Sequence, residues 1–456
     1  MSSGRLSDQD RKFERMTTLP VRRLVAGLAV PSILSMLITA FYNIVDTFFV
    51  GQLGSSATGA IGVMYSLMAI IQAVGFGFGA GSGVYISRKL GERDVAEACR
   101  MATVAVVSVF GVGVLIGAVG LFFFEPLPFW LGSTATIAPF ARDYMLFVLL
   151  GAPFFACSLT LNNQLRLQGN ARLAVVGIGA GAVLNCLLDP VFIFGCGWGV
   201  KGAGLSTLLS QVVSFSLLLV ITQRSDAVSL SRRDFCPSRA RYLSILQGGT
   251  PAVGRQGMQC FVSILLNHVM RAFGDRLFAA MTIVLRLTNF LFAITAGIGQ
   301  GFQPVCGFNF GARRYGRVLA AYFYTQRVAV GLLVVLTVVL ACFAPAIVSA
   351  FSDEAEVVAL GATAARLQCI GIPFMGFCII AGMLFQNTGR YVSATLVSVS
   401  RSGLFFIPVI LITPRVWGEW GVMCAQPLAD LLSFGMTFAL NLWALRLLRR
   451  GSRQEG

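Results

Sequence analysis

Long apolar stretches separated by short polar connections run through the whole chain. About twelve of them reach the ~20 residues that an α-helix needs to cross a bilayer. They cover residues 29–50, 58–82, 101–124, 139–161, 172–195, 203–223, 247–271, 277–301, 318–345, 357–380, 392–413 and 420–446. Six stretches fall in each half, and the pattern predicts an all-α polytopic membrane protein with two six-helix bundles.

The two halves of the sequence repeat one another. Adding 220 to a position in the first half gives its equivalent in the second, so that Pro31 corresponds to Pro251. In the same register the run GFGAG at Gly77–Gly81 corresponds to GIGQG at Gly297–Gly301. Two copies with six spans each have the same orientation and are expected to be related by a pseudo-two-fold axis along the membrane normal. Such duplicated bundles are typical of transporters with a site between the halves.

The connections divide the chain into five predicted segments. They are a cytoplasmic N-terminal segment at 1–28, an N-terminal lobe at 29–223, a cytoplasmic linker at 224–241, a C-terminal lobe at 242–447 and a cytoplasmic tail at 448–456. The first segment is too charged for a signal peptide, so we expect no segment to be cleaved.

Basic residues mark alternate connections. Most of the 35 Lys and Arg residues precede the first span, follow the second or the eighth, occupy the linker or end the chain. By the positive-inside rule both termini are cytoplasmic, and the protein is placed in the cell (inner) membrane. The net charge of +16 then reflects topology, with anionic membrane lipids as partners and no nucleic acid.

The composition excludes a soluble domain, since 56% of residues are hydrophobic and only 12% are charged. The eleven Cys are scattered and His268 is the single His, so we expect no disulfide framework, no metal site and no cofactor. The glycine-rich runs lie inside apolar spans without a preceding strand. They indicate helix packing or a hinge rather than nucleotide binding.

Two aspartates lie inside predicted spans of the first half. Asp46 is 17 residues into the first span and Asp189 is 17 residues into the fifth, so the two carboxylates should share a depth. Each has a polar neighbour one turn earlier on the same helix face, Tyr42 for Asp46 and Asn185 for Asp189. Ionisable groups are costly inside a bilayer, and we therefore expect a functional polar cluster here.

Each aspartate also has a structural explanation. Asp46 is near the turn at Gly51–Gly54 and would cap a bend there, while Asp189 precedes Pro190, which disturbs the helix and frees carbonyl groups. The equivalent positions in the second half are Leu266 and Val409, so the cluster is expected in the first half alone.

Four motifs resemble those of the multidrug and toxic-compound extrusion (MATE) family. They are DTFFVGQLG at Asp46–Gly54, LQGNAR at Leu167–Arg172, NCLLDP at Asn185–Pro190, and GFQP with FNFGA between Gly301 and Ala312. The resemblance covers nearly the whole chain and implies a bacterial-type member with its acidic cluster in the N-terminal half. It further implies alternating access, in which proton or sodium entry drives export of hydrophobic, often cationic compounds.

The resemblance also implies roles for individual residues. The implied ion-coupling residues are Asp46, Asp189, Asn185, Tyr42 and Asn162, and weaker candidates, as substrate contacts, are Tyr144 and Thr207. Asn162 and Thr207 have an equal alternative as ordinary hydrogen bonds between helices.

The second half lacks the acids that some members of the family carry on the seventh and tenth spans. Those spans offer Arg255, Gln256 and Gln259, and then Gln368. Arg286, Arg401 and Asp430 fall near the middle of other spans. We expect a structural ion network in which Asp430 pairs with an arginine, with direct substrate contact as the alternative. Gln259 and Arg286 are kept as candidate substrate-binding residues.

These observations together predict a secondary active multidrug exporter, an antiporter that is not an enzyme and works as a monomer. Burial disfavours a charged carboxylate, so such a group can exchange protons near neutral pH. A proton and a cationic drug-like substrate would compete for the same acid, and this competition couples their opposite movements. The 37 Phe and 14 Met supply adaptable apolar contacts for the substrate.

Two other functions share part of this pattern. A flippase for lipid-linked oligosaccharides in the wider superfamily would have the same duplicated helices, but a more strongly cationic cavity and often two extra spans. A membrane-embedded enzyme would need a catalytic constellation that one His and scattered Ser do not provide.

Overall fold

A computed structural model describes residues 8–225 and 228–454, apart from the side chains at positions 8, 9, 40, 42–44, 46, 47, 55, 260 and 271. All regular elements in these ranges are helical. The first half contains α1 Asp8–Thr18, α2 Val21–Gly51, α3 Ser55–Gly91, α4 Val95–Phe122, α5 Leu127–Trp130, α6 Ala138–Leu167, α7 Ala171–Pro190 and α8 Gly199–Gln223. The second half contains α9 Arg239–Arg271, α10 Asp275–Gly311, α11 Tyr315–Cys342, α12 Ala344–Ser349, α13 Ala355–Asn387, α14 Tyr391–Val399, α15 Phe406–Trp417 and α16 Glu419–Arg453.

Three shorter elements complete the secondary structure of the described ranges. Two are π-helical turns, Val191–Gly195 directly after α7 and Ser400–Leu404 between α14 and α15. The third is a 3₁₀ turn at Arg232–Asp234, which lies in the predicted linker.

Eleven helical segments of the described chain are long and apolar enough to cross a membrane. They correspond to eleven of the predicted spans, and the remaining one, 247–271, lies within the 33-residue helix α9. Several helices exceed their predicted spans. At about 1.5 Å per residue, the 37 residues of α3 are longer than the roughly 30 Å hydrocarbon layer. Its last turn, with Arg88 and Lys89, is therefore placed in the polar region.

The chain forms two compact units, and two helices are divided between them. Unit 1 consists of Met1–Leu19 and Leu34–Val253, and unit 2 consists of Pro20–Ile33 and Gly254–Gly456. The first part of α2 thus belongs to unit 2, and the first part of α9 belongs to unit 1. Each unit is built from segments of both sequence halves.

One helix lies at the centre of each unit. In unit 1, α6 packs against α3, α4, α7 and α8; in unit 2, α13 packs against α10, α11, α14 and α16. The large side chains of Tyr144 and Met145 on α6 and of Phe385 on α13 are fully buried. Both helices also carry buried polar side chains, such as Asn162 and Gln164 on α6 and Gln368 on α13. Lipid cannot satisfy such groups, so a position among other helices suits both.

The glycine-rich runs receive neighbouring backbones, which agrees with the predicted role in helix packing. A methyl group added to Gly81 on α3 would lie 2.1 Å from the carbonyl oxygen of Ile245 on α9, within unit 1. At the equivalent Gly301 on α10, it would lie 2.4 Å from the backbone nitrogen of Ala29 on α2, within unit 2. Only glycine permits so close an approach.

Candidate functional site

The antiparallel helices α7 and α8 of unit 1 bring several polar side chains together. The Nδ2 of Asn185 donates to the Oγ of Ser206 over 2.9 Å and to the Oγ1 of Thr207 over 3.5 Å. The Ser206 hydroxyl donates in turn to the Oδ1 of Asp189. A short connection joins the two helices, so residues at similar distances from it lie opposite one another.

The central helix α6 extends this arrangement through Tyr144. Its hydroxyl lies 3.4 Å from the Oγ1 of Thr207. The five side chains form one hydrogen-bonded network, which runs through Tyr144, Thr207, Asn185, Ser206 and Asp189. Each of them is at most 1% exposed. We call this group the Asp189 network.

Glycines and Pro190 set the local geometry of the network. A methyl group on Gly202 of α8 would lie 2.6 Å from the carbonyl carbon of Phe192, and one on Gly181 of α7 would lie 2.9 Å from the Cβ of Ser214. The two helices therefore approach closely on both sides of the network. The helix geometry is disturbed at Pro190 as predicted, since a π-helical turn follows it, and such turns are frequent at functional sites.

Asp189 is the carboxylate of the network, and one side of it is unsatisfied. Its Oδ2 and the Oδ1 of Asn185 are buried and have no hydrogen-bond partner among the described residues. No described Lys or Arg forms an ion pair with Asp189. A buried, unpaired carboxylate is costly unless it binds a proton or a cation, so the site is suited to either.

Other predicted residues are placed outside this network. Asn162 on α6 is buried, but its Nδ2 donates to the backbone carbonyl of Ala174 over 2.9 Å, the ordinary helix–helix bond named as its alternative. Gln259 on α9 and Arg286 on α10 belong to unit 2 and have exposed side chains. The side chains of Tyr42 and Asp46 lie outside the described residues.

Sequence reasoning missed Ser206, although a signal for it exists. In a tight antiparallel helix pair, residues equidistant from the connection face each other. The connection near Gly197 lies about midway between Asp189 and Ser206, so this serine could have been found once the two spans were assigned.

Unit 2 contains a buried ion pair. The Nε of Arg401 donates to the Oδ1 of Asp430 over 2.7 Å, and the Nε2 of Gln426 donates to the same oxygen over 2.9 Å. The predicted pairing of Asp430 with an arginine is confirmed. Arg286 forms no ion pair with any described residue, so the wider network that included it is not formed here.

The described residues contain no group of three or more His, Cys, Asp or Glu side chains arranged to hold a metal ion.

Comparison with known proteins gives a consistent result. The family model MatE matches residues 31–191 and 251–412. The two matches begin 220 residues apart, which is the register of the sequence repeat, and together they cover well over half of the chain.

Individual relatives are similar along almost their whole length. The multidrug export protein MepA of Staphylococcus saprophyticus is 25% identical over 421 residues, which are 91% of this chain and 92% of that protein. A FAD transporter of Shewanella oneidensis is 26% identical over 425 residues, 91% of this chain and 93% of that protein.

A crystal structure of MATE in complex with MaL6 has a TM-score of 0.91 at 24% identity and covers 96% of this chain and 99% of its own. This likeness confirms the predicted fold class of a polytopic membrane protein with two helical bundles.

Proposed function

The chain belongs to the MatE family, and on that premise we propose that it is a secondary active multidrug exporter. As a family member it is a multi-pass membrane transporter and not an enzyme. Our proposal adds that proton or sodium entry drives the export of hydrophobic, cationic compounds by alternating access. A flippase for lipid-linked oligosaccharides is the alternative.

The observation that carries this proposal is the unsatisfied carboxylate of Asp189. The Asp189 network is hydrogen-bonded throughout, yet Asp189 Oδ2 and Asn185 Oδ1 have no partner among the described residues. These are two oxygen acceptors on neighbouring turns of α7. A proton on Asp189 would neutralise the charge, and a sodium ion would be bound by oxygens of this type.

The same network explains how coupling would work. When Asp189 is charged, it holds the Ser206 hydroxyl and, through it, Asn185. Protonation weakens that bond because a neutral carboxyl is a poorer acceptor than a carboxylate. The packing of α7 against α8 then changes with the charge, and a cationic substrate competes with the proton for the same acid.

The proposal is tested by transport in proteoliposomes under separately imposed proton and sodium gradients. The probe is ethidium, a hydrophobic organic cation. We expect one of the two gradients to drive uphill ethidium efflux in the parent protein and not in Asp189→Asn. Asp143→Asn is the matched control, because that acid is exposed and pairs with Lys201 at 3.5 Å. If neither gradient drives efflux in the parent protein, the proposal is wrong.

Export of an anionic compound is a second candidate. One relative is named a FAD transporter, and unit 2 of this chain carries Arg255 and Arg286, neither of which pairs with an acid among the described residues. The Arg255 guanidinium lies 5.9 Å from the ring centre of Phe292, an arrangement that suits a flat anionic ligand. Gradient-driven efflux of FAD, with no efflux of ethidium, would favour this candidate.

We further propose that the protein is a monomer in the inner membrane with both termini in the cytoplasm. The concentration of basic residues on one set of connections supports this orientation, and it places those residues against anionic membrane lipids.

A further inference from the structure

Unit 2 contains a line of buried polar groups that the proposed coupling site does not use. It begins at the Arg401–Asp430 ion pair and continues along α16 through Ser433, Thr437 and Asn441. Steps of three, four and four residues keep these side chains on one helix face. The four α16 residues are at most 4% exposed. We call this line the α16 stripe.

Polar atoms of the α16 stripe lack hydrogen-bond partners. The Ser433 Oγ, Thr437 Oγ1 and Asn441 Oδ1 are buried and have no partner in good hydrogen-bond geometry among the described residues, and the same is true of the Tyr322 hydroxyl on α11. The Cys378 thiol lies beside Thr437, and Tyr322 lies beside Asn441. Many helical Ser and Thr residues of this protein donate to the carbonyl four residues earlier, as Thr325 does over 2.8 Å. Four adjacent unsatisfied groups are unusual in a folded interior.

The spacing of these groups matches that of bridging water. Ser433 and Thr437 are one turn apart, as are Thr437 and Asn441, which corresponds to about 6 Å along the helix axis. One water molecule with two hydrogen bonds of about 2.8 Å spans this distance. Buried waters typically bridge polar groups that have no other partner.

The elements packed against α16 supply few charged or titratable neighbours. These elements are α11, α13, α14, α15 and the π-helical turn at Ser400–Leu404. The neighbours are Arg401 on the turn, Cys378 on α13 beside Thr437, Tyr322 on α11 beside Asn441, and Arg390 before α14, whose guanidinium lies 5.0 Å from the Trp443 ring centre. Asp430 is the acidic residue of the α16 stripe, and the ion pair between Asp430 and Arg401 lies at one end of the stripe.

We propose that a chain of ordered water molecules runs along the α16 stripe and lets Asp430 exchange protons with the end at Tyr322 and Asn441. Each hydroxyl and each water accepts one proton and passes on another, so the relay changes the protonation of the carboxylate alone. Unit 2 thereby has a proton site of its own, in addition to the Asp189 network of unit 1.

Hydroxyl-radical footprinting tests the hydration directly. Cys378 is only 3% exposed, so radicals generated by an X-ray pulse reach it only through internal water. We expect Cys378 to be oxidised several-fold faster than Cys369, which is also buried on α13 but bonds the Thr337 carbonyl. Thr437→Val should remove this difference, and Thr325→Val should preserve it. Equal rates for the two cysteines in the parent protein would overturn the proposal.

Thermal unfolding gives an independent readout. In a dry interior, Thr437→Val removes an unsatisfied hydroxyl and should raise the unfolding midpoint. In a hydrated stripe it removes a water ligand and should lower the midpoint relative to Thr325→Val. A higher midpoint in Thr437→Val contradicts the proposal.

The relay is tested by infrared spectroscopy after a pH jump. We expect a carboxyl signal that is absent in Asp430→Asn and that develops at least tenfold more slowly in Thr437→Val than in the parent protein. An unchanged rate would overturn the relay. None of these measurements involves transport, so their failure would leave the proposed function of the Asp189 network untouched.

Discussion

The chemistry of Asp189 follows from the different surroundings of its two oxygens. Oδ1 accepts from Ser206, whereas Oδ2 is buried without a partner among the described residues. An aspartate that served only as a structural cap would have both oxygens engaged, because an unmet acceptor is costly. The distribution of bonds therefore favours ion coupling over the structural explanation.

Asp189→Asn keeps the shape of the side chain and the acceptor for Ser206 but removes the titration. We expect the variant to purify as a monodisperse protein and to bind ethidium with an affinity that is constant between about pH 5.5 and 8.5, the range that a buried acid can reach. Binding by the parent protein should vary with pH over this range. Fluorescence titration measures both affinities.

Val409→Ile is the control in the second half, since Val409 occupies the equivalent position. It should retain the transport rate and pH dependence of the parent protein at equal expression. If Asp189→Asn also retains them, Asp189 is a structural cap, and Asp430 is the next candidate for the coupling group.

At the scale of elements, helix packing depends on which glycines face a neighbouring backbone. Gly81 and Gly301 contact another helix closely, whereas Gly111 on α4 and Gly331 on α11 have no atom within 4 Å of an added methyl group. Positions 111 and 331 are also equivalent in the repeat. The structure thus contains one tightly packed and one open pair of equivalent glycines, and each pair has one member in each unit.

We predict that Gly81→Ala and Gly301→Ala each destabilise the protein by roughly 1–3 kcal/mol, because the backbones must separate. Gly111→Ala and Gly331→Ala should be neutral or stabilising by about 0.5–1 kcal/mol, since alanine is the better helix former. Thermal unfolding in detergent measures all four. Equal effects at tight and open positions would show that the close contacts do not carry the packing.

A salt bridge attaches the first turn of α9 to α4 within unit 1. The Arg241 Nη2 and Nε lie 2.7 and 2.8 Å from the two carboxylate oxygens of Glu97, and the Tyr242 hydroxyl lies 2.9 Å from the Ser108 Oγ. Both charged side chains are largely buried, with exposures of 15% for Arg241 and 17% for Glu97. Bidentate pairs in such a setting are strong.

Removing one partner of this pair should be more harmful than exchanging the two charges. We expect Glu97→Ala to lower stability by roughly 3–5 kcal/mol at most, since it leaves the poorly solvated Arg241 without its carboxylate partner. Arg241→Ala should cost less, because Arg100 remains 3.8 Å from the Glu97 carboxylate. The double variant Glu97→Arg with Arg241→Glu should recover part of that loss. Unfolding midpoints of the parent protein, the two alanine variants and the double variant Glu97→Ala with Arg241→Ala form a double-mutant cycle, and strictly additive effects would exclude a direct coupling.

At the scale of the whole molecule, each compact unit contains chain segments from both halves of the sequence. The predicted lobes begin at 29 and 242, while the chain passes from one unit to the other after Leu19, after Ile33 and after Val253, and the last two of these points are equivalent in the repeat. Pro31 and Pro251 lie close to these two points, at equivalent positions of the repeat. The sequence repeat therefore includes the points, after Ile33 and after Val253, at which the chain passes from one unit to the other.

The predicted orientation is tested with reporter tags. Tags at the N terminus, in the 224–241 linker and at the C terminus should all be protected from a membrane-impermeant reagent in intact cells. A tag in the 131–137 connection between α5 and α6 should be accessible, since an odd number of predicted spans precedes it. An accessible linker tag would contradict the span assignment.

The sequence by itself determined the helical spans, the 220-residue repeat, the family and the placement of Asn185 and Asp189 on one helix face. These are local or periodic properties. The apolarity of a segment decides whether it crosses the bilayer, and a separation of four residues places two side chains on one helix face. Neither requires knowledge of which helices are neighbours.

Only the tertiary structure decided the partners across helices. Ser206 donates a hydrogen bond to Asp189 because α7 packs on α8. Arg241 forms a salt bridge with Glu97, which is 144 residues away in the sequence. The amino-acid composition likewise does not change at Ile33 and Val253, where the chain passes from one compact unit to the other. Small residues such as Gly202 let two backbones approach closely, and they thereby decide which face of a helix packs against a neighbour. A membrane span is almost uniformly hydrophobic, so its hydrophobic pattern does not show which face that is.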